Sequence, residues 1–156
     1  MKKTVCWFFL VVGFDQLTKW LVVVHIPLYG SIPIVGAWFR FTHFENEGIV
    51  FGMLQGKGDQ LLPVVLIISV GMAVLAWKYA EGSWFLRFSF GTIIGGAAGN
   101  LIDRFFRGAV VDFIHIGSFA IFNIADAFVV AGAIGMGIYL LVVHKPLLYE
   151  SELWVL

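Results

Sequence analysis

The sequence predicts a polytopic α-helical membrane protein: four transmembrane helices with a small extracytoplasmic β-rich segment lying at the membrane interface. Three observations carry this. Of the 156 residues, 60% are hydrophobic and only 13% are charged, against roughly 25% charged in a soluble domain. Mean hydropathy is +0.94. Four apolar runs are each long enough to cross a hydrocarbon core of about 30 Å. They lie at about residues 5–26, 60–79, 84–102 and 122–143 of a single domain.

The first run follows Lys2 and Lys3, as a secretory signal would. Asp15 and Lys19 interrupt it and no small-residue cleavage site follows, so it is expected to be retained as a span. Residues 27–59 are too long for a simple connection and form the external segment. Within it, "AWFRFTHF" (37–44) is aromatic-rich and partly alternating, which predicts a strand. Gly56-Lys57-Gly58-Asp59 reads as a turn. A short loop joins the second and third runs. A second external loop, 103–121, contains "RGAVVDFIHI", again strand-like. Trp and Phe in these external segments suit the lipid interface.

Four spans put both termini on one side. Lys2, Lys3, Lys78, Arg87 and Lys145 then face Arg40, Lys57, Arg104 and Arg107 across the bilayer. The N-terminal pair and the short Lys78–Arg87 loop place both termini in the cytoplasm, because short loops are where basic residues set orientation.

Several function classes are disfavoured. Ten acids balance ten bases, so nothing marks a nucleic-acid surface. A lone cysteine, Cys6, leaves no intrachain disulfide framework and no cysteine-rich metal site. His25, His43, His115 and His144 are scattered, without a metal-ligand spacing. No Gly-flanked serine elbow is present.

The polar residues inside or near the spans are the informative ones, since a charge near the bilayer core costs about 2.5–3.5 kcal/mol on insertion scales. Asp15, Thr18 and Lys19 share one helix face by their i, i+3, i+4 spacing. An internal ion pair is the simplest reading. Asn100, Asp103 and Arg104 repeat the spacing at the outer end of the third run. Before them, Gly91, Gly95 and Gly99 make a small-residue face for close helix packing. At the fourth run, Asn123 suits the N-cap and Asp126 the N3 position, close to a capping box. Capping alone would account for that pair in isolation. Yet Asp103, Asp112 and Asp126, with Asn46, Asn100 and Asn123, all fall near the outer surface. Two carboxylates held together share a proton. One then activates water and the other protonates a leaving group, which is aspartyl hydrolysis.

Two other classes compete with a hydrolase. A small transporter or proton channel would spread acids through the membrane depth, whereas only Asp15 and Lys19 lie deep. A non-enzymatic assembly factor would use the same residues only to cap helices and pair spans.

Five motifs occur in order on this layout: "DQLTK" (15–19), "NEGIVF" (46–51), "GNLIDR" (99–104), "VVDF" (110–113) and "FNIAD" (122–126). Together they resemble bacterial lipoprotein signal peptidase, also called signal peptidase II. The resemblance covers nearly the whole chain. It implies an aspartyl endopeptidase of the plasma membrane, cutting a prolipoprotein just before a cysteine that carries diacylglycerol. It implies Asp112 and Asp126 as the catalytic pair. Asp15, Lys19, Asn46, Gly48, Asn100, Asp103, Arg104 and Asn123 match the family's other motif residues, with substrate-binding or supporting roles. No cofactor and no metal are implied. The implied partners are the lipid-modified precursor, membrane lipids and globomycin-type inhibitors, and the chain is expected to be a monomer. One departure stands out. The family usually has two small residues between the glycine and phenylalanine of the second motif, where this chain has Ile49 and Val50. That bears on the pocket wall, not on the chemistry.

Overall fold

The computed structural model of the chain describes residues 2–48, 58–119 and 121–143. Four long helices form a bundle: α1 (Lys2–His25), α2 (Gly58–Tyr79), α3 (Trp84–Arg107) and α4 (Ile124–Ile138), the last continued by a π-helical turn, Tyr139–Val143. Each, with its flanking turns, is long and apolar enough to cross a membrane. A four-stranded antiparallel sheet caps one end, in the order β1 (Ser31–Val35), β2 (Phe39–Asn46), β3 (Val110–Ile116), β4 (Ile121–Phe122). All four helices and both strand-like stretches agree with the sequence reading. The fold is that of a polytopic helical membrane protein.

Burial is inverted relative to a soluble domain. Lys19, Asp15, Asp103, Ser89 and Thr92 are fully buried, while Ile67 and Leu141 are more than 70% exposed. Lipid solvates the apolar exterior, so a polar group gains most by pairing inside the bundle.

Element ends depart from expectation in three places. The third helix runs on to Arg107, so Asp103 and Arg104 are helical and the loop that follows starts at Gly108. That glycine takes φ +81° and its N–H bonds to Arg104 O. The left-handed conformation ends the helix and suits a residue without Cβ. The fourth helix starts at Ile124, because Phe122 pairs with Ile114 in the sheet and Asn123 is the N-cap. Gly58 and Asp59, read as part of a turn, instead open α2. Gly56, Lys57, Ile49, Val50 and Lys145 lie outside the described residues.

Glycines set how closely the helices approach. A Cβ on Gly99 would stand 2.5 Å from Asp15 Oδ2, and one on Gly96 would stand 2.5 Å from Ala125 O. The 91/95/99 face therefore packs on α1, and the neighbouring face packs on α4. Gly96→Ala is expected to push α3 from α4 and cost about 1–3 kcal/mol. Thermal unfolding in detergent reads this directly.

The sheet docks on the C-terminal end of α1. Val22 and Ile26 of that helix pack with Val111 and Phe113 of β3. His43 Nδ1 donates to Ile26 O at 2.8 Å, and Tyr29 N–H donates to His43 O at 2.8 Å. These bonds fix β2 relative to α1. The β2–β3 register then sets Phe44 opposite Asp112, and Asn46 opposite Val110.

Candidate active site

The site begins with α1. Asp15 and Lys19, one turn apart, point into the bundle with no exposure. Lys19 Nζ contacts Asp15 Oδ2 at 2.9 Å, Asp103 Oδ2 at 2.7 Å and Asn100 Oδ1 at 2.8 Å. An ammonium has three donors, and each has an acceptor here. Thr18, expected on this face, bonds instead to Phe14 O and Asp15 O of its own helix.

Asp15 has a second task. Its Oδ1 accepts from Ala125 N at 2.9 Å. Ala125 lies in the first turn of α4, where backbone N–H groups lack helical partners. Asn123 Oδ1 accepts from Asp126 N at 2.9 Å, and Asp126 Oδ2 accepts from Asn123 N at 3.3 Å, completing a capping box. The start of α4 is thus held by its own cap and by a carboxylate from α1.

The cap also aims side chains. With Oδ1 of Asn123 committed to the helix, its Nδ2 donates to Asp112 Oδ1 at 2.7 Å and to Asn100 Oδ1 at 3.1 Å. Asn100 takes donors from Lys19 and Asn123 on its oxygen, so its Nδ2 faces Asp126 Oδ1 at 2.8 Å. Asn46 Nδ2 donates to the other oxygen of Asp112 at 2.9 Å. Asn46 Oδ1 accepts from Gly48 N, and Gly48 O accepts from Arg104 Nη2 at 3.0 Å.

All ten residues singled out in the sequence therefore belong to one connected network, drawn from α1, α3, α4, β3 and the end of β2. Two halves meet at Asn100 and Asn123. One half is ionic (Asp15, Lys19, Asp103), and the other holds Asp112 and Asp126. A residue that spacing did not single out joins them. Gln16 Nε2 reaches Asp15 Oδ2, Gly99 O and Asp103 Oδ1 at 3.1–3.3 Å. Its only signal in the sequence is a polar amide beside Asp15 within an apolar run.

Asp112 is 2% exposed. Burial, and then the negative charge of Asp126, push its carboxyl up to about 7. Asp126 is more open than Asp112. A carboxyl group that keeps its proton up to near-neutral pH beside a second, more open one can supply both an acid and a base. Among the described residues, no group of three or more His, Cys, Asp and Glu is placed to hold a metal ion.

The family model for signal peptidase (SPase) II matches residues 7–142. The chain belongs to the signal peptidase II family. It is an aspartic-type peptidase by that membership. A Bacillus velezensis protein named lipoprotein signal peptidase is 40% identical over 131 residues, covering 81% of this chain and 86% of its own. One of the same name from Caldanaerobacter subterraneus is 41% identical, covering 85% and 90%. A solved bacterial membrane enzyme superposes with TM-score 0.85 at 32% identity, covering 90% of this chain and 88% of its own.

Proposed function

We propose that this signal peptidase II removes the signal peptide from diacylglyceryl-modified prolipoproteins, cutting just before the lipidated cysteine with water activated between Asp112 and Asp126. The observation that carries the reading is the pair itself: Asn123 bonds to both carboxylates, and their charges interact. Asp126 is the base. It is the more open of the two carboxyl groups. Asp112 is the acid, being the more buried. Water attacks the scissile carbonyl as its proton passes to Asp126, and Asp112 protonates the leaving amine. The nearby Arg104 and asparagine side chains position the substrate backbone or stabilise the developing oxyanion in this mechanism.

Both termini lie in the cytoplasm in this reading, and the sheet lies at the extracytoplasmic lipid surface. Tyr29, Trp38 and Phe119, all more than half exposed, suit that interface. The chain acts as a monomer. Its signal-helix substrate enters from the bilayer, and a globomycin-type peptide competes for the site. Incubating the purified protein with a lipid-modified precursor tests this. The expected result is cleavage before the modified cysteine, blocked by globomycin. No product, or product independent of lipidation, would overturn it.

The pair also predicts a pH profile. Asp112 holds its proton below about 7 and loses it above, so kcat/KM falls as pH rises through that value. The apparent constants belong to the pair as a unit. Asn46 stabilises the ionised form of Asp112 by its hydrogen bond. Asn46→Ala is therefore expected to move the alkaline limb to higher pH, whatever it does to the maximal rate.

A further inference from the structure

The far end of the sheet carries a second polar cluster that the hydrolytic site does not use. Arg40 Nη2 contacts His115 Nε2 at 3.1 Å, His115 Nδ1 contacts Thr42 Oγ1 at 3.2 Å, and Thr42 Oγ1 contacts Ser31 Oγ at 2.9 Å. Strand register sets this chain of contacts, with Arg40 opposite His115 and Ser31 opposite Thr42. The direction of the protons follows from chemistry. A guanidinium only donates, so His115 Nε2 accepts and its Nδ1–H donates to Thr42. The Thr42–Ser31 contact uses one of the two hydroxyl protons and leaves the other over, at the exposed edge strand.

Arg40 is half-buried, yet among the described residues no carboxylate lies within ion-pair distance of it. Its Nε is enclosed without an acceptor. The cluster is thus rich in donors and has no anion of its own. Ser31 and Arg40 are diagonal neighbours across the β1–β2 pair, roughly 7–8 Å apart, a span that a phosphate group and its hydrogen bonds can bridge. Ile32 and Val35, paired with Phe41 and Phe39, alternate with Ser31 and Arg40 and so lie on the other face of the sheet, 44% and 59% exposed, and Trp38 in the turn is 63% exposed.

The geometry points to a headgroup site for an anionic phospholipid at the edge of the sheet, in which Arg40 and Ser31 on the polar face hold the phosphate while the exposed apolar side chains on the other face of β1, with Trp38 of the turn, meet the acyl region. Bidentate guanidinium–phosphate pairing supplies the specificity. The inference rests on reading the sheet as lying at the lipid surface. It is separate from the hydrolytic pair, because the substrate's diacylglyceryl group carries no phosphate. Generic attraction does not account for such a site, since the chain has zero formal net charge and no polybasic run.

The test titrates the full chain in neutral detergent with short-chain phosphatidylglycerol, short-chain phosphatidylcholine or inorganic phosphate, following the unfolding midpoint. Phosphatidylglycerol at ten times its Kd is expected to raise the midpoint by about 4 °C. Arg40→Gln should remove most of that rise and Ser31→Ala part of it, while Arg40→Lys keeps some. An equal rise with phosphatidylcholine overturns the need for an anionic headgroup. An equal rise with inorganic phosphate overturns the lipid assignment. An undiminished rise in Arg40→Gln overturns the site; if that variant does not fold, Ser31→Ala and His115→Ala are read the same way. Cleavage of a lipid-modified precursor in lipid-free detergent is scored in the same samples. Wild-type cleavage without any lipid effect counts against the headgroup site alone, and absent cleavage counts against the peptidase reading alone.

Discussion

Asp112→Asn and Asp126→Asn are each expected to lower kcat by on the order of 10⁴-fold or more, since residues that act as a unit fail together. The fold should survive. In either variant, an amide NH₂ replaces one carboxylate oxygen and meets a donor, Asn46 or Asn123 at position 112, Asn100 or Asn123 at position 126. Losing one such bond costs about 1 kcal/mol. The two readings separate on this contrast. A catalytic pair gives inactive protein with a near-normal unfolding midpoint. An assembly factor, whose acids only cap and pair helices, gives loss of stability with no activity to lose. Full cleavage by either variant would remove the pair from the mechanism.

Lys19→Met is expected to destabilise the bundle by about 3–5 kcal/mol, because it leaves buried charges without their partner. Lys19 is the cation between Asp15 and Asp103, and all three are fully buried. A midpoint unchanged in Lys19→Met would show that the triad does not hold the bundle. The triple variant Lys19→Met, Asp15→Asn, Asp103→Asn removes the uncompensated charge and should recover much of the stability. It should not recover cleavage. Without the Lys19 ammonium on its oxygen, the Asn100 amide is oriented only by the 3.1 Å bond from Asn123, and its Nδ2 holds Asp126 less firmly. Recovery of both properties together would reduce the triad to a structural role.

How far the sequence reached differs between residues for physical reasons. The i, i+4 pair Asp15–Lys19 was legible, because helical spacing alone puts two such side chains on one face. The capping box of Asn123 and Asp126 was legible for the same reason, since a cap depends on four consecutive residues. Thr18 shows where the reasoning stops. It shares the face by spacing, yet its hydroxyl turns back to its own helix, a local alternative open to any threonine. Gln16 was missed because its bonds run to α3, and spacing within α1 says nothing of what stands opposite. The extension of α3 to Arg107 was missed because hydropathy falls at Asp103, while the buried ion pair with Lys19 and the left-handed Gly108 set the actual end.

The order of apolar runs, the polar face of each helix and the cap of α4 follow from local pattern, so the chain alone specifies a four-helix membrane protein with acids gathered at one end. The five motifs add the family. The meeting of Asp15 with the α4 backbone, 110 residues away, is not in that pattern. Nor is the β2–β3 register that brings Asn46 to Asp112, or the double use of Asn123 as helix cap and as the link between the two catalytic candidates. These depend on which helix faces which, on close approach at Gly96 and Gly99, and on strand alignment. Helical periodicity is blind to all three, because it fixes directions around one axis and no distance between two.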